Sequence, residues 1–170
     1  GASLGSDVAF FLGDSPLARG RGRGEILEPY GVLPPADLVL VLPPVHVATG
    51  AAYAALSRAR SRGVGRGGGG PGCGRPETWT EAEAMARNDF EDVVSGEHPE
   101  VRRSLEALGE AGGRPTLLSG SGAACFGVFA DEAIAGAVAG RLEAELGWPA
   151  RAVRTLTEFP VPGPVDFPGP

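Results

Sequence analysis

Near the C-terminal end, Leu118-Ser119-Gly120-Ser121-Gly122 joins two apolar runs through a turn built from serine and glycine. Glycine lacks Cβ, so such a turn can take positive φ and let the backbone approach an anion closely. Successive turn amides that point one way form an anion-binding concavity. The same residues also suit a plain hairpin-like connection. At the other end, Asp7 stands in Leu4-Gly5-Ser6-Asp7-Val8-Ala9-Phe10-Phe11, between a glycine turn and an apolar stretch. A carboxylate at such a junction can be partly desolvated and can act as a general base on a bound hydroxyl. It can equally cap the amides of a local turn.

Other chemistries find less support. Leu118 to Gly122 does not supply the G-x-S-x-G pattern of a serine nucleophile elbow. His46 lies beside a strand and His98 precedes a proline at a helix start, settings that suit structural or solvated histidines. Those two histidines, with Cys73 and Cys125, lie far apart and match no metal-ligand spacing. With a reducing cytosol as the default compartment, both cysteines are expected as free thiols. All 15 basic residues are arginine, so a mechanism that needs lysine cannot be completed by this chain. The net charge of −6 argues against general nucleic-acid binding, which needs a basic surface. Arg19, Arg21 and Arg23, alternating with glycine, read as an exposed hairpin. No apolar run approaches the ~20 residues that cross a bilayer, and no signal peptide opens the sequence. The expected setting is cytoplasmic, with no membrane partner.

The elements that must hold these groups read as an α+β mixture. Strands are expected at Val8–Leu12, Pro16–Arg19, Glu25–Leu27 and Leu38–Leu42. A helix over Thr49–Ala59 has Thr49 as a candidate N-cap. Another, over Thr80–Val94, has Thr80 and Glu83 as a candidate capping box. Asp89 and Glu91 then fall on its solvated face or act as caps. A third helix covers Pro99–Gly109, with proline in its first turn. Thr116–Leu118 and Ala124–Ala130 flank the Ser/Gly turn as strands. A helix over Asp131–Leu146 is capped by Asp131 and ended by Gly147, and Arg151–Leu156 is the last strand. This order predicts helices on one face of a mainly antiparallel, ferredoxin-like sheet. Three units follow: residues 1–30, a domain over 31–159 interrupted by a flexible glycine-rich loop at 60–76, and a proline-rich tail at 160–170.

Five segments, in order, carry a family resemblance. Leu4–Phe11 is similar to the LGADVPFF segment of the 4-diphosphocytidyl-2-C-methyl-D-erythritol kinases, a family of the GHMP small-molecule kinase superfamily. Ala18–Leu27 resembles that family's A-x-G-x-G-E-x-L hairpin with two extra residues. Leu38–Thr49 resembles its strand followed by P-x-V-x-V-x-T, and Asn88-Asp89-Phe90-Glu91 its N-D-L/F-E helix. Leu118–Phe126 resembles its [ST]-G-[ST]-G-x-x-x-F motif. The resemblance implies a GHMP kinase C-terminal domain with a remnant of the N-terminal domain at residues 1–30. It implies ATP and Mg²⁺ as cofactors and phosphorylation of the 2-hydroxyl of a small-molecule cytidyl substrate in isoprenoid precursor synthesis. Asp7 matches the catalytic aspartate. Tyr53 falls where an aromatic ring stacks on cytosine, or else is a core aromatic. Thr49 contacts the substrate near that ring or caps its helix. Gly120, Ser121 and Gly122 match an accessory loop beside the phosphate site. No metal ligand is assigned.

Ala9 replaces the usual proline after Asp7. The principal phosphate loop, P-x-x-x-G-L-x-S-S-A, and the strand bearing the family's lysine have no counterpart, so the chain resembles the C-terminal half of such an enzyme. An inactive fragment is the expectation. Another GHMP kinase, acting on mevalonate or homoserine, and a non-catalytic ferredoxin-like ligand-binding module are the alternatives.

Overall fold

A computed structural model of the chain describes residues 8–11, 13, 15–22, 24, 26–63 and 74–158. Asp7, Cys73, the glycine-rich segment 64–73 and the tail from 159 onward lie outside the described residues.

The N-terminal elements are small. Val8–Phe11 forms a helical turn, α1, where a strand was expected; a short apolar run fits either period, and four residues cannot decide between them. The antiparallel hairpin β1 (Ala18–Arg21) and β2 (Ile26–Pro29) follows, with Arg21 opposite Ile26. It is clasped by an Arg21–Glu28 ion pair at 3.0 Å.

The main sheet is built around β3 (Asp37–Val41). Leu38-Val-Leu-Val is too apolar for a strand with one wet face, which suits a strand covered at least in part on both faces. β3 pairs antiparallel with β5 (Cys125–Phe129) on one side and β6 (Ala150–Arg154) on the other. β4 (Thr116–Leu118) pairs with the outer side of β5. The order β4-β5-β3-β6 is that of a ferredoxin-like sheet, as expected. Successive side chains alternate between faces. Val39, Val41, Cys125, Leu118 and Ala150 therefore meet the helices in one core with Val101, Leu108, Val138 and Leu142. Leu38, Leu40 and Phe126 occupy the other face and are half-buried.

Between β3 and β4 run α2 (Thr49–Ser61), α3 (Trp79–Met85), α4 (Glu91–Glu97) and α5 (Pro99–Glu110). The single helix expected over 80–94 is two helices, broken at Ala86–Phe90. Its start also lies earlier. Thr78, not Thr80, is the N-cap, and its box partner is Glu81, not Glu83. Two Thr-x-x-Glu sets overlap there. The one used is fixed by Trp79, whose indole N–H donates to the Pro34 carbonyl at 2.8 Å. The Glu81 carboxylate accepts from the Glu77 and Thr78 amides, which hold it below the usual carboxylate range. α6 (Glu132–Leu146) follows β5 with the expected ends. Asp131 accepts the Ile134 amide at 2.8 Å, and Gly147 closes the helix in the left-handed conformation.

Cys125 is a free thiol and fully buried. Burial first, and then the Glu91 carboxylate, push its pKa from 9.0 up to about 12. An unfolded chain releases this proton above pH 9 while the folded chain holds it, so the stability is complete below pH 9 and drains away between there and pH 12. At roughly pH 10.5 the loss is about 2 kcal/mol. Urea unfolding at pH 8 and about 10.5 is expected to show this loss in the wild type and not in Cys125→Ala; equal alkaline slopes would contradict it.

Candidate functional site

The expected site residues are Thr49, Tyr53 and the turn Gly120-Ser121-Gly122, and the fold brings them to one edge of the helical layer. Thr49 opens α2 but does not cap it. Ala48 occupies the N-cap with no side-chain bond, which corrects the capping reading. The Thr49 hydroxyl is instead hydrogen-bonded to the Ser121 hydroxyl at 3.2 Å. Two residues read independently from the sequence therefore touch across the site.

Tyr53 lies one turn along α2 from Thr49, so both are on the same face of the helix. It is 60% exposed, which rules out the core-aromatic alternative. Its ring and that of Phe90 form a T-shaped pair, with centroids 4.9 Å apart and planes at 83°. An edge-to-face partner fixes a ring while leaving one π-face open.

The helix break supplies what the sequence reading missed. Each residue of Asn88-Asp89-Phe90-Glu91 holds a different part of this edge. Asn88 donates from its amide nitrogen to the carbonyls of Leu118 (2.8 Å) and Gly120 (2.7 Å), and its oxygen accepts from the Phe90 amide at 2.9 Å. Asp89 pairs with Arg60 at the end of α2 and with Arg87. Phe90 backs Tyr53. Glu91 accepts the Leu118 amide at 2.9 Å, so it is not a solvated helix residue. β4 is an edge strand whose outward backbone groups need partners. The side chains of Asn88 and Glu91 provide them at Leu118. One sequence signal was available, since Asn88 is the chain's only asparagine.

The turn uses two of its own amides internally. Ser119 N–H donates to Ala124 O at 2.8 Å, and Gly122 N–H to Ser119 O at 3.0 Å. The amides of Gly120 and Ser121 make no hydrogen bond among the described residues. Gly120 (φ +56°) and Gly122 (φ +97°) both take the conformation that favours glycine. Asn88, which bonds the turn, also lines an open cavity of about 370 Å³ with Leu56, Arg60, Arg87 and Asp92. His46 is exposed, and His98 precedes α5 without a side-chain capping bond. Asp7 lies outside the described residues. Among the described residues no three His, Cys, Asp or Glu side chains gather to hold a metal ion.

Residues 76–147, which include α3 to α6 and the turn, match the family model described as GHMP kinases C terminal. A 4-diphosphocytidyl-2-C-methyl-D-erythritol kinase of Geobacter sp. (strain M21) is 36% identical over 159 residues, 92% of this chain. The chain carries a GHMP kinase C-terminal domain. It spans about half the length of the curated relatives it matches, 54% of the Geobacter protein. Among solved structures, a 4-(cytidine 5'-diphospho)-2C-methyl-D-erythritol kinase superposes with a TM-score of 0.61 at 29% identity. That match covers 90% of this chain and 54% of the other. A homoserine kinase from Cytophaga hutchinsonii has a TM-score of 0.55 at 14% identity, covering 83% of this chain and 48% of its own, which shows a shared fold alone. The expected resemblance and fold class of the GHMP domain are thus borne out. No helix among the described residues is long and apolar enough to cross a membrane.

Proposed function

We propose that the chain is the C-terminal part of a small-molecule kinase that transfers the γ-phosphoryl group of ATP to the 2-hydroxyl of 4-diphosphocytidyl-2-C-methyl-D-erythritol. The supporting observation is the Thr49–Ser121 hydrogen bond, which joins into one edge an exposed aromatic ring and a turn whose Gly120 and Ser121 amides make no hydrogen bond among the described residues. In this reading Tyr53 stacks on the cytosine ring, Thr49 lies against the substrate, and the Gly120–Gly122 turn flanks the phosphate groups. Asp7 takes the proton from the 2-hydroxyl as it attacks. Such transfers depend mainly on positioning and on charge stabilisation. The described residues offer no cluster for Mg²⁺, so no step is assigned to it. The reaction would take place in the cytoplasm.

Tyr53→Ala tests the reading. Base–aromatic stacking is worth about 1–3 kcal/mol, so the variant should bind 4-diphosphocytidyl-2-C-methyl-D-erythritol roughly 5- to 150-fold more weakly. Titration followed by amide shifts in an isotope-labelled chain reads this directly. Equal affinity in the two proteins would remove the cytidyl specificity.

A further inference from the structure

We propose that Asn88 is a positioning residue that aims the Ser121 N–H at the phosphate groups of a bound ligand. The inference rests on the reading of the turn as a phosphate-flanking loop. A trans peptide holds its C=O and N–H on opposite sides, and the Gly120–Ser121 bond is not among the cis peptides of the described residues. Asn88 pulls the Gly120 carbonyl toward itself at 2.7 Å, so the Ser121 N–H points away from Asn88 and the helix break. The same amide nitrogen grips the Leu118 carbonyl at 2.8 Å, and Glu91 fixes the Leu118 amide, so the strand end before the turn is anchored as well.

The side chain is fully committed. Both amide hydrogens and the oxygen are in use, which fixes which way the group faces. Nothing else among the described residues holds the Gly120 carbonyl. Without that grip the peptide can rotate, since Gly120 on its N-terminal side has no Cβ and open space around it. A rotated peptide would present the carbonyl oxygen to an anion. That reversal turns an attractive group into a repulsive one, so a single distant amide controls the sign of the contact. Asn88 also ties the turn to Tyr53, because its oxygen holds the Phe90 amide and Phe90 holds the tyrosine ring.

The test uses inorganic pyrophosphate as the probe and the amide resonances of the labelled chain as the readout. Asn88→Ala and Asn88→Leu remove the donors without adding charge. In the wild type, the Gly120 and Ser121 amides should shift on titration. Both variants should weaken pyrophosphate binding at least 10-fold, with the Ser121 shift lost. Val138→Ala, in the core on α6, is the control for a general loss of stability, and its affinity should stay within twofold of wild type. Wild-type binding with unchanged affinity in both Asn88 variants overturns the positioning role and leaves the reading of the turn intact. An equal loss in Val138→Ala overturns it too, by reducing the effect to stability. A wild-type chain whose turn amides do not respond to pyrophosphate overturns the reading of the turn, and this inference with it.

Discussion

Leu108→Ala should lower the unfolding free energy by about 2–5 kcal/mol, the range for deleting a buried leucine side chain and leaving its cavity. Leu108 has no exposed surface and sits in the single core cluster, on the face of α5 that meets β4 and β5. α5 packs on β4, β5, α4 and α6, so the space cannot be filled by moving one loop. For a chain of this size the loss corresponds to a fall in Tm of roughly 4–20 °C. Leu156→Ala is the matched comparison. Leu156 is 61% exposed, and its truncation should stay within about 0.5 kcal/mol. Urea midpoints for the two variants at constant m-value decide the matter. Similar losses at both positions would mean that the core is not where the structure puts it.

The second large effect is expected at Gly122. A Cβ there would stand 3.2 Å from Leu118 Cδ1 and 3.4 Å from Val94 Cγ1, at a φ of +97° that side-chain-bearing residues rarely adopt. Strain at such a φ costs about 1–3 kcal/mol, and the forced shift of packed neighbours adds about 1–3 more. Gly120 differs in one respect. Its φ is also positive, at +56°, but nothing lies within 4 Å of its would-be Cβ. Gly120→Ala should therefore cost only the left-handed penalty of about 1–2 kcal/mol. The ordering, Gly122→Ala less stable than Gly120→Ala, is the specific expectation, read from paired thermal melts. The reverse ordering would show that packing against Leu118 and Val94 does not hold the turn.

Much of the fold was legible because local chemistry and tertiary context agree over long stretches. Asp131 and Gly147 bracket α6 where their side chain and backbone conformation demand. The apolar run of β3 is continuous because Val39 and Val41 enter the helix-covered core while Leu38 and Leu40 are half-buried on the other face. Errors arose where a distant partner decides. Thr78 caps α3 in place of Thr80 because Trp79 reaches back to Pro34. The break before α4 has one local contribution, the Asn88 oxygen accepting the Phe90 amide two residues on. The rest comes from distant partners: Asp89 is held by Arg60 and Asn88 by the β4 end, which are neighbours only in the folded chain. The site was legible by residue type, not by arrangement. Thr49, Tyr53 and Ser121 could each be named, but no spacing in the sequence says that Thr49 meets Ser121. Asn88 was named in its motif, but its role stayed hidden because its partners are backbone groups, which look alike at every position.

The strand order also sets a timetable. β3 is made first of the four sheet strands, yet it is flanked by β5 and β6, the last two. During synthesis this apolar strand must wait, its backbone unpaired on one side, until Ala150–Arg154 has emerged from the ribosome. Long-range pairing of this kind folds slowly. A chain stopped anywhere before residue 150 would leave the middle of the sheet as its margin, so premature termination, more than any single substitution, is what this topology tolerates least.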